Sequence, residues 1–185
     1  MEKQVLIMTF PKNSQAYEAF SRMKALHLKQ KVVVEQMAVV HHEEDQSFQV
    51  KDVLDMTGED QLVTGGVIGM LVGMLGGPLG VLLGWATGSI IGGTGDAMEM
   101  REAVTAFEQT SKAISPGKTG LIVIASEYVE EEMDRWIGQE LNGKVLTLPE
   151  HSVRRDIEAA RKAERELRKE ARKKWFNETF RGKAD

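Results

Sequence analysis

Residues 61–95 read QLVTGGVIGMLVGMLGGPLGVLLGWATGSIIGGTG, a stretch without a single charged side chain. It holds 12 of the 18 glycines of the 185-residue chain, and most of them recur at intervals of four residues. Residues four apart lie on the same face of an α-helix. The spacing therefore predicts two helices that meet near Pro78, a glycine-zipper helical hairpin over residues 57–96. Its two glycine series are Gly65, Gly69, Gly73 and Gly77, followed by Gly76, Gly80, Gly84, Gly88 and Gly92.

Each glycine series predicts a strip without side chains, along which a second helix backbone can approach closely. A glycine inside a helix costs about 1 kcal/mol relative to alanine in water. So many glycines are compatible with a stable helix only if burial compensates for that cost. We therefore expect the strip to be an oligomerisation surface or a membrane hairpin. The proposed contact residues are Gly69, Gly73, Gly80, Gly84 and Gly88.

The two arms of the hairpin are apolar almost all round, so their other faces must also leave water. Each arm has roughly 15 residues and a helical length of about 22 Å, whereas a hydrocarbon core is about 30 Å thick. Trp85 lies in the middle of the second arm, and acidic rather than basic residues flank the hairpin. Two environments therefore stay open: insertion into a bilayer, or burial in the core of a soluble assembly.

The rest of the chain alternates between strand-like and helix-like patterns on both sides of the hairpin. This alternation predicts an α+β fold with a ferredoxin-like body built from split βαβ units. The expected organisation is a first half of the body (1–56), the hairpin (57–96), a second half of the body (97–149) and a long basic C-terminal helix (150–185).

The C-terminal segment is a separate electrostatic unit. Residues 151–185 contain 12 basic and 7 acidic residues, a net charge of +5, which leaves −9 for residues 1–150. Such asymmetry suggests that the segment meets anionic lipid, nucleic acid or an acidic patch on a neighbouring subunit. Its aromatic end predicts an anchor, either docked onto protein or laid on a membrane surface. The anchor residues are Lys173, Lys174, Trp175, Phe176 and Phe180.

Signals for catalysis are weak along the whole chain. There is no cysteine, which excludes thiol catalysis and disulfides. The Gly-Lys-Thr at residues 117–119 precedes a strand, whereas a phosphate loop must open a helix, so we interpret it as a turn. His41 and His42 are neighbours on a strand and point to opposite faces, which argues against a metal site with the acids at 43–45. We expect no enzyme activity, no metal, no cofactor and no nucleic-acid partner.

The order of several short motifs resembles a bacterial family of unknown function, domain of unknown function 1269. The motifs are TGGVIGMLVG at 64–73, PLGVLLG at 78–84, SPG at 115–117 ahead of LIVI at 121–124, and GKV at 143–145. The resemblance covers about residues 3–149. It implies a small bacterial protein, commonly described as membrane-associated, with some members grouped with general stress proteins. It supplies no catalytic residues.

These observations predict a non-catalytic protein that forms homo-oligomers through the hairpin. Because the start of the chain shows no secretory signal, the body is expected in the cytoplasm, at the bacterial inner membrane and in contact with its lipid. The alternative is a soluble cytoplasmic oligomer, a sensor or small-ligand-binding module in which the hairpin fills the assembly core.

Overall fold

The computed structural model of the chain describes residues 2–56, 66–77, 105–127 and 130–181. It is a mixed α+β fold around a five-stranded antiparallel sheet with the strand order β3-β2-β4-β1-β5. The strands are β1 (Gln4–Thr9), β2 (Val33–His42), β3 (Phe48–Asp55), β4 (Thr119–Glu127) and β5 (Lys144–Pro149). The α+β class predicted from the alternating patterns is therefore confirmed.

The helices of the described residues lie on both faces of this sheet. They are α1 (Asn13–Leu28), α2 (Val67–Gly76), α3 (Thr105–Ala113), α4 (Glu130–Asp134, continued by a π-helical turn at Arg135–Glu140) and α5 (Glu150–Arg181). The long C-terminal helix expected over residues 150–185 is present in the described residues as Glu150–Arg181, and it begins directly after Pro149.

Helices cover the sheet on both sides because the central strands bury side chains in two directions. Leu6 and Met8 of β1 pack in one layer with α1 and α4, whereas Val5 and Ile7 pack in the other with α2, α3 and α5. Alternating side chains of a strand point to opposite faces of its sheet. Strands covered on both faces therefore read as the continuous apolar runs seen in the sequence.

The first arm of the predicted hairpin packs on the protein's own sheet. The described helix α2 has ten residues, shorter than the expected arm of roughly 15. Val67, Ile68, Leu71, Val72 and Leu75 are all buried in the cluster that covers one sheet face. We expected lipid or the core of an assembly to shield these side chains from water. The chain's own sheet provides the apolar surface that shields them. Within the described ranges, no helix has both the length and the apolar composition needed to cross a bilayer.

Candidate functional site: the outer face of a glycine-rich helix

Helix α2 presents a side-chain-free surface on the side opposite its buried face. Gly73 is exposed and Gly69, one turn earlier, is half-buried. A Cβ added at Gly73 would meet no heavy atom of the described residues within 4 Å. The bare surface at Gly73 is therefore open at the outside of the domain.

Gly76 has a different role, because it lies where α2 approaches the edge strand β3. A Cβ added there would lie 2.7 Å from the carbonyl oxygen of Phe48 and 3.0 Å from its amide nitrogen. Both atoms belong to the backbone and cannot rotate away. The fold itself therefore requires glycine at this position, whereas no described neighbour of Gly73 requires glycine there.

Two further described glycines of this segment lie at the two ends of α2, Gly77 of the first series and Gly66, which belongs to neither series. Gly77 follows the helix in an extended conformation, and a Cβ there would lie 2.8 Å from the carbonyl oxygen of Gly73. Gly66 precedes the helix, and a Cβ there would overlap the side-chain amide of Gln36. The other predicted strip residues lie outside the described residues, namely Gly65, Gly80, Gly84, Trp85, Gly88 and Gly92.

Helix α5 borders α2 on the side away from β3. Its first turns are buried through Val153, Ile157 and Ala160 in the same apolar cluster as α2. At the next residue, the Arg161 guanidinium donates a hydrogen bond to the Met70 thioether at 3.5 Å. Within the described residues, the exposed surface of α2 thus lies between α5 and β3.

A buried carboxylate, Asp156, joins α5 to α3. Its Oδ2 accepts a hydrogen bond from the backbone N–H of Ala106 at 2.9 Å, and its Oδ1 has no hydrogen-bond partner among the described residues. Burial raises the pKa of this carboxyl, and the Ala106 amide and the nearby Arg155 charge oppose that rise only in part. A charged Asp156 is therefore a cost to the folded state.

The end of α5 carries the predicted anchor. Trp175 is 59 % exposed and Phe176 is 56 % exposed, and Lys173 and Lys174 beside them are also exposed. Phe180 falls in the last turn of the same helix. The structure thus places the basic and aromatic residues of the predicted anchor on one helix.

The histidine pair at the end of β2 is structural in the described residues. His41 Nδ1 lies 2.9 Å from Thr119 Oγ1, and the buried His42 Nδ1 lies 2.5 Å from the carbonyl oxygen of Ile114. The His42 ring also stacks on Phe48, with ring centroids 4.0 Å apart. No group of three potential metal ligands occurs in the part of the chain that the structure describes.

The Gly-Lys-Thr segment is a turn ahead of β4, as its sequence context predicts. Gly117 has a φ of +74°, in the left-handed region that favours glycine, and its N–H donates to the carbonyl oxygen of His42 at 2.7 Å. β4 begins at Thr119, so no helix starts at this turn.

Sequence reasoning missed a cleft between α1 and α4. The Arg22 guanidinium lies 4.8 Å from the centre of the Trp136 ring and forms two hydrogen bonds to the Glu140 carboxylate, of 2.5 and 3.2 Å. This pairing raises the pKa of Arg22 and lowers that of Glu140. A π-helical turn positions Trp136 and Glu140, and such turns have no sequence signature by which we could have predicted it.

A protein family model matches this chain. The model of the family described as "Protein of unknown function (DUF1269)" matches residues 62–161, more than half of the chain. The chain therefore belongs to this family, which confirms the resemblance, although the matched range begins and ends later than the motifs suggested. Searches of curated proteins and of solved structures found no match.

Proposed function

We propose that this chain is a non-catalytic protein that assembles with copies of itself through its glycine-rich segment. The observation that carries the proposal is the open, side-chain-free surface at Gly73 on a helix whose opposite face is fully used in the core. Glycine in a helix costs up to about 1 kcal/mol relative to alanine. Because the described neighbours of Gly73 leave room for a side chain, the benefit of glycine there must come from another close-packed backbone.

The strand order supports a ferredoxin-like body with β3 as an added edge strand. Without β3, the order is β2-β4-β1-β5, and all neighbouring strands are antiparallel. α1 follows β1 and precedes β2, while α4 follows β4 and precedes β5, and both helices pack on the same sheet face. This order is consistent with two interleaved split βαβ units, the body that we propose.

In this proposal the glycine zipper has two parts with different tasks. The first arm is attached to the body through the buried face of α2, so that its bare face is held in a fixed orientation. The second arm, with Gly80, Gly84 and Gly88, supplies further close contacts between helices. The body stays in the cytoplasm and the assembly associates with lipid of the bacterial inner membrane.

A second candidate is a soluble oligomeric sensor or small-ligand-binding module. The packing of α2 on its own sheet favours this alternative, because it shields the apolar face of the first arm without lipid. Ultracentrifugation of protein made without detergent separates the two. Sedimentation with membranes contradicts the soluble module, and a discrete particle in the supernatant contradicts membrane association.

The self-assembly proposal is tested by a pair of leucine variants. Gly73→Leu places a side chain on the proposed contact surface, and Gly138→Leu places one in equally open space on α4, on the opposite side of the sheet. We expect Gly73→Leu to lower the particle mass measured by light scattering and Gly138→Leu to leave it unchanged.

An unchanged mass in Gly73→Leu would contradict the proposal. If the unfolding midpoint of that variant also falls, the second arm of the same chain covers the strip.

A further inference from the structure

The cleft between α1 and α4 combines apolar and charged side chains around a volume of about 220 Å³. Its apolar lining comes from Leu26, Val32, Met133 and Trp136. Sites for small molecules are typically concave and apolar, with a few polar groups that orient the ligand. Drug-sized ligands usually occupy about 300–1,000 Å³, so this cleft has room for a smaller molecule with a compact apolar body.

The charged side chains that line the cleft carry an excess of one positive charge. Three are cations, Arg22, Lys31 and Arg135, and two are carboxylates, Glu132 and Glu140. Two of the cations are matched, since Arg22 bonds to Glu140 and Lys31 Nζ lies 4.0 Å from Glu132. Arg135 has no hydrogen bond or ion pair within the described residues. A ligand with one negative charge would therefore balance the lining.

Arg135 is well placed to receive that charge. It is the exposed first residue of the π-helical turn that also contains Trp136 and Glu140. Short π-helical turns occur frequently at functional sites. A guanidinium can hold both oxygens of a carboxylate through two parallel hydrogen bonds. The two carboxylates at the cleft would repel the second negative charge of a phosphate monoester, so the lining favours a carboxylate over a phosphate.

The Trp136 ring is held in place by groups that the ligand does not need to displace. The Arg22 guanidinium lies 4.8 Å from the centre of this ring and is fixed by its two hydrogen bonds to Glu140. Trp136 itself is almost fully buried. Because these side chains are already ordered in the chain, the aromatic part of the cleft is formed before a ligand binds, which lowers the entropic cost of binding.

We propose that the α1–α4 cleft binds a small monocarboxylate with an apolar body. The carboxylate lies at Arg135, and the apolar body packs against Leu26, Met133 and Trp136. This site is a binding function beyond self-assembly and holds whether or not the chain assembles. It also names a ligand class for the small-ligand-binding candidate.

Three probes of nearly the same shape test the charge preference, because benzoate is an anion, benzamide is neutral and benzamidine is a cation. Saturation-transfer difference NMR measures weak binding to the full chain, even when the chain forms large particles. We expect benzoate to bind roughly tenfold more tightly than benzamide, and benzamidine to bind more weakly than both. High salt should weaken benzoate binding and leave benzamide binding unchanged. The proposal is overturned if benzoate shows no saturable binding, or if benzamidine binds more tightly than benzoate.

Substitutions of one exposed arginine test the position of the carboxylate. Arg135→Gln should weaken benzoate binding roughly tenfold and leave benzamide binding unchanged, whereas Arg135→Lys should keep the preference for benzoate. The matched control is Arg165→Gln, which removes an exposed arginine from α5 on the other side of the sheet. Unchanged benzoate binding in Arg135→Gln, or an equal loss in Arg165→Gln, contradicts the assignment of the carboxylate to Arg135.

A larger side chain in the cleft tests the position of the apolar body. Leu26 is half-buried, and Leu26→Phe should weaken benzoate and benzamide alike while the unfolding midpoint stays close to that of the unaltered protein. Full affinity for both probes in folded Leu26→Phe means that they bind elsewhere, which rules out the cleft.

Inorganic phosphate is the competing anion. We expect it not to displace benzoate, and displacement at equal concentration would contradict the preference for a carboxylate. These measurements report on the cleft, whereas the mass of Gly73→Leu reports on the glycine strip, so the two proposals can fail separately.

Discussion

Alanine at Gly73 and at Gly76 should change the free energy of unfolding in opposite directions. Both glycines belong to α2, and both substitutions add one methyl group and raise helix propensity by up to about 1 kcal/mol. At Gly73 the methyl group enters open space, so that gain is retained. At Gly76 the methyl group would lie 2.7 Å from the Phe48 carbonyl oxygen. Relief of such a clash requires α2 to move from β3, and overpacking of this kind typically costs about 1–3 kcal/mol.

The net expectation is a stabilisation of up to about 1 kcal/mol for Gly73→Ala and a destabilisation of about 1–2 kcal/mol for Gly76→Ala. Urea unfolding in dilute solution, followed by tryptophan fluorescence, measures both values on the same scale. Low protein concentration matters, because assembly through Gly73 would otherwise add to the apparent stability. Equal effects of the two substitutions, or stabilisation by Gly76→Ala, would refute the division of α2 into an open face and a face in close contact with β3.

Three further predictions concern a buried leucine, a buried carboxylate and a glycine of the second arm. Leu71→Ala should lower the free energy of unfolding by about 2–5 kcal/mol, because Leu71 is fully buried between α2 and the sheet. A loss below about 1 kcal/mol in urea unfolding would show that α2 is not part of the core. Asp156→Asn keeps an oxygen acceptor for the Ala106 amide but removes the buried charge. Because burial raises the folded-state pKa of Asp156, the stability of the unaltered protein should fall as the pH rises from about 4 through that raised pKa. Unfolding midpoints compared across pH should show a smaller fall in the variant. Gly84→Leu should reduce particle mass in gel filtration with light scattering, since it widens the proposed helix contacts of the second arm, and an unchanged mass would remove that arm from the interface.

The sequence predicts the sheet elements well because their signals are local. Runs such as Leu121–Ala125 are short, apolar and bounded by turn residues, and the strand β4 lies there. The turn at Gly117 is equally local, since the Ser-Pro-Gly-Lys segment needs only its own backbone geometry to end a helix and start a strand. Elements of this kind require no knowledge of their neighbours in space.

The position of α2 could not be predicted in the same way. An all-round apolar helix shows that its surface must leave water, but the pattern does not distinguish lipid, another subunit and the chain's own sheet. A regular four-residue spacing also does not distinguish the open surface at Gly73 from the close backbone contact at Gly76. Only the three-dimensional structure shows which glycine lies against the Phe48 backbone. The Arg22–Trp136–Glu140 arrangement joins residues more than 100 positions apart, across two helices.

The most direct test of self-assembly is the mass of the unaltered protein across a wide range of dilution. Sedimentation equilibrium without detergent, or in a mild detergent if membranes retain the protein, gives that mass independently of particle shape. The account predicts multiples of the 20.6 kDa chain that dissociate on dilution, at higher concentration in Gly73→Leu than in the unaltered protein. A mass of 20.6 kDa at every concentration would contradict it.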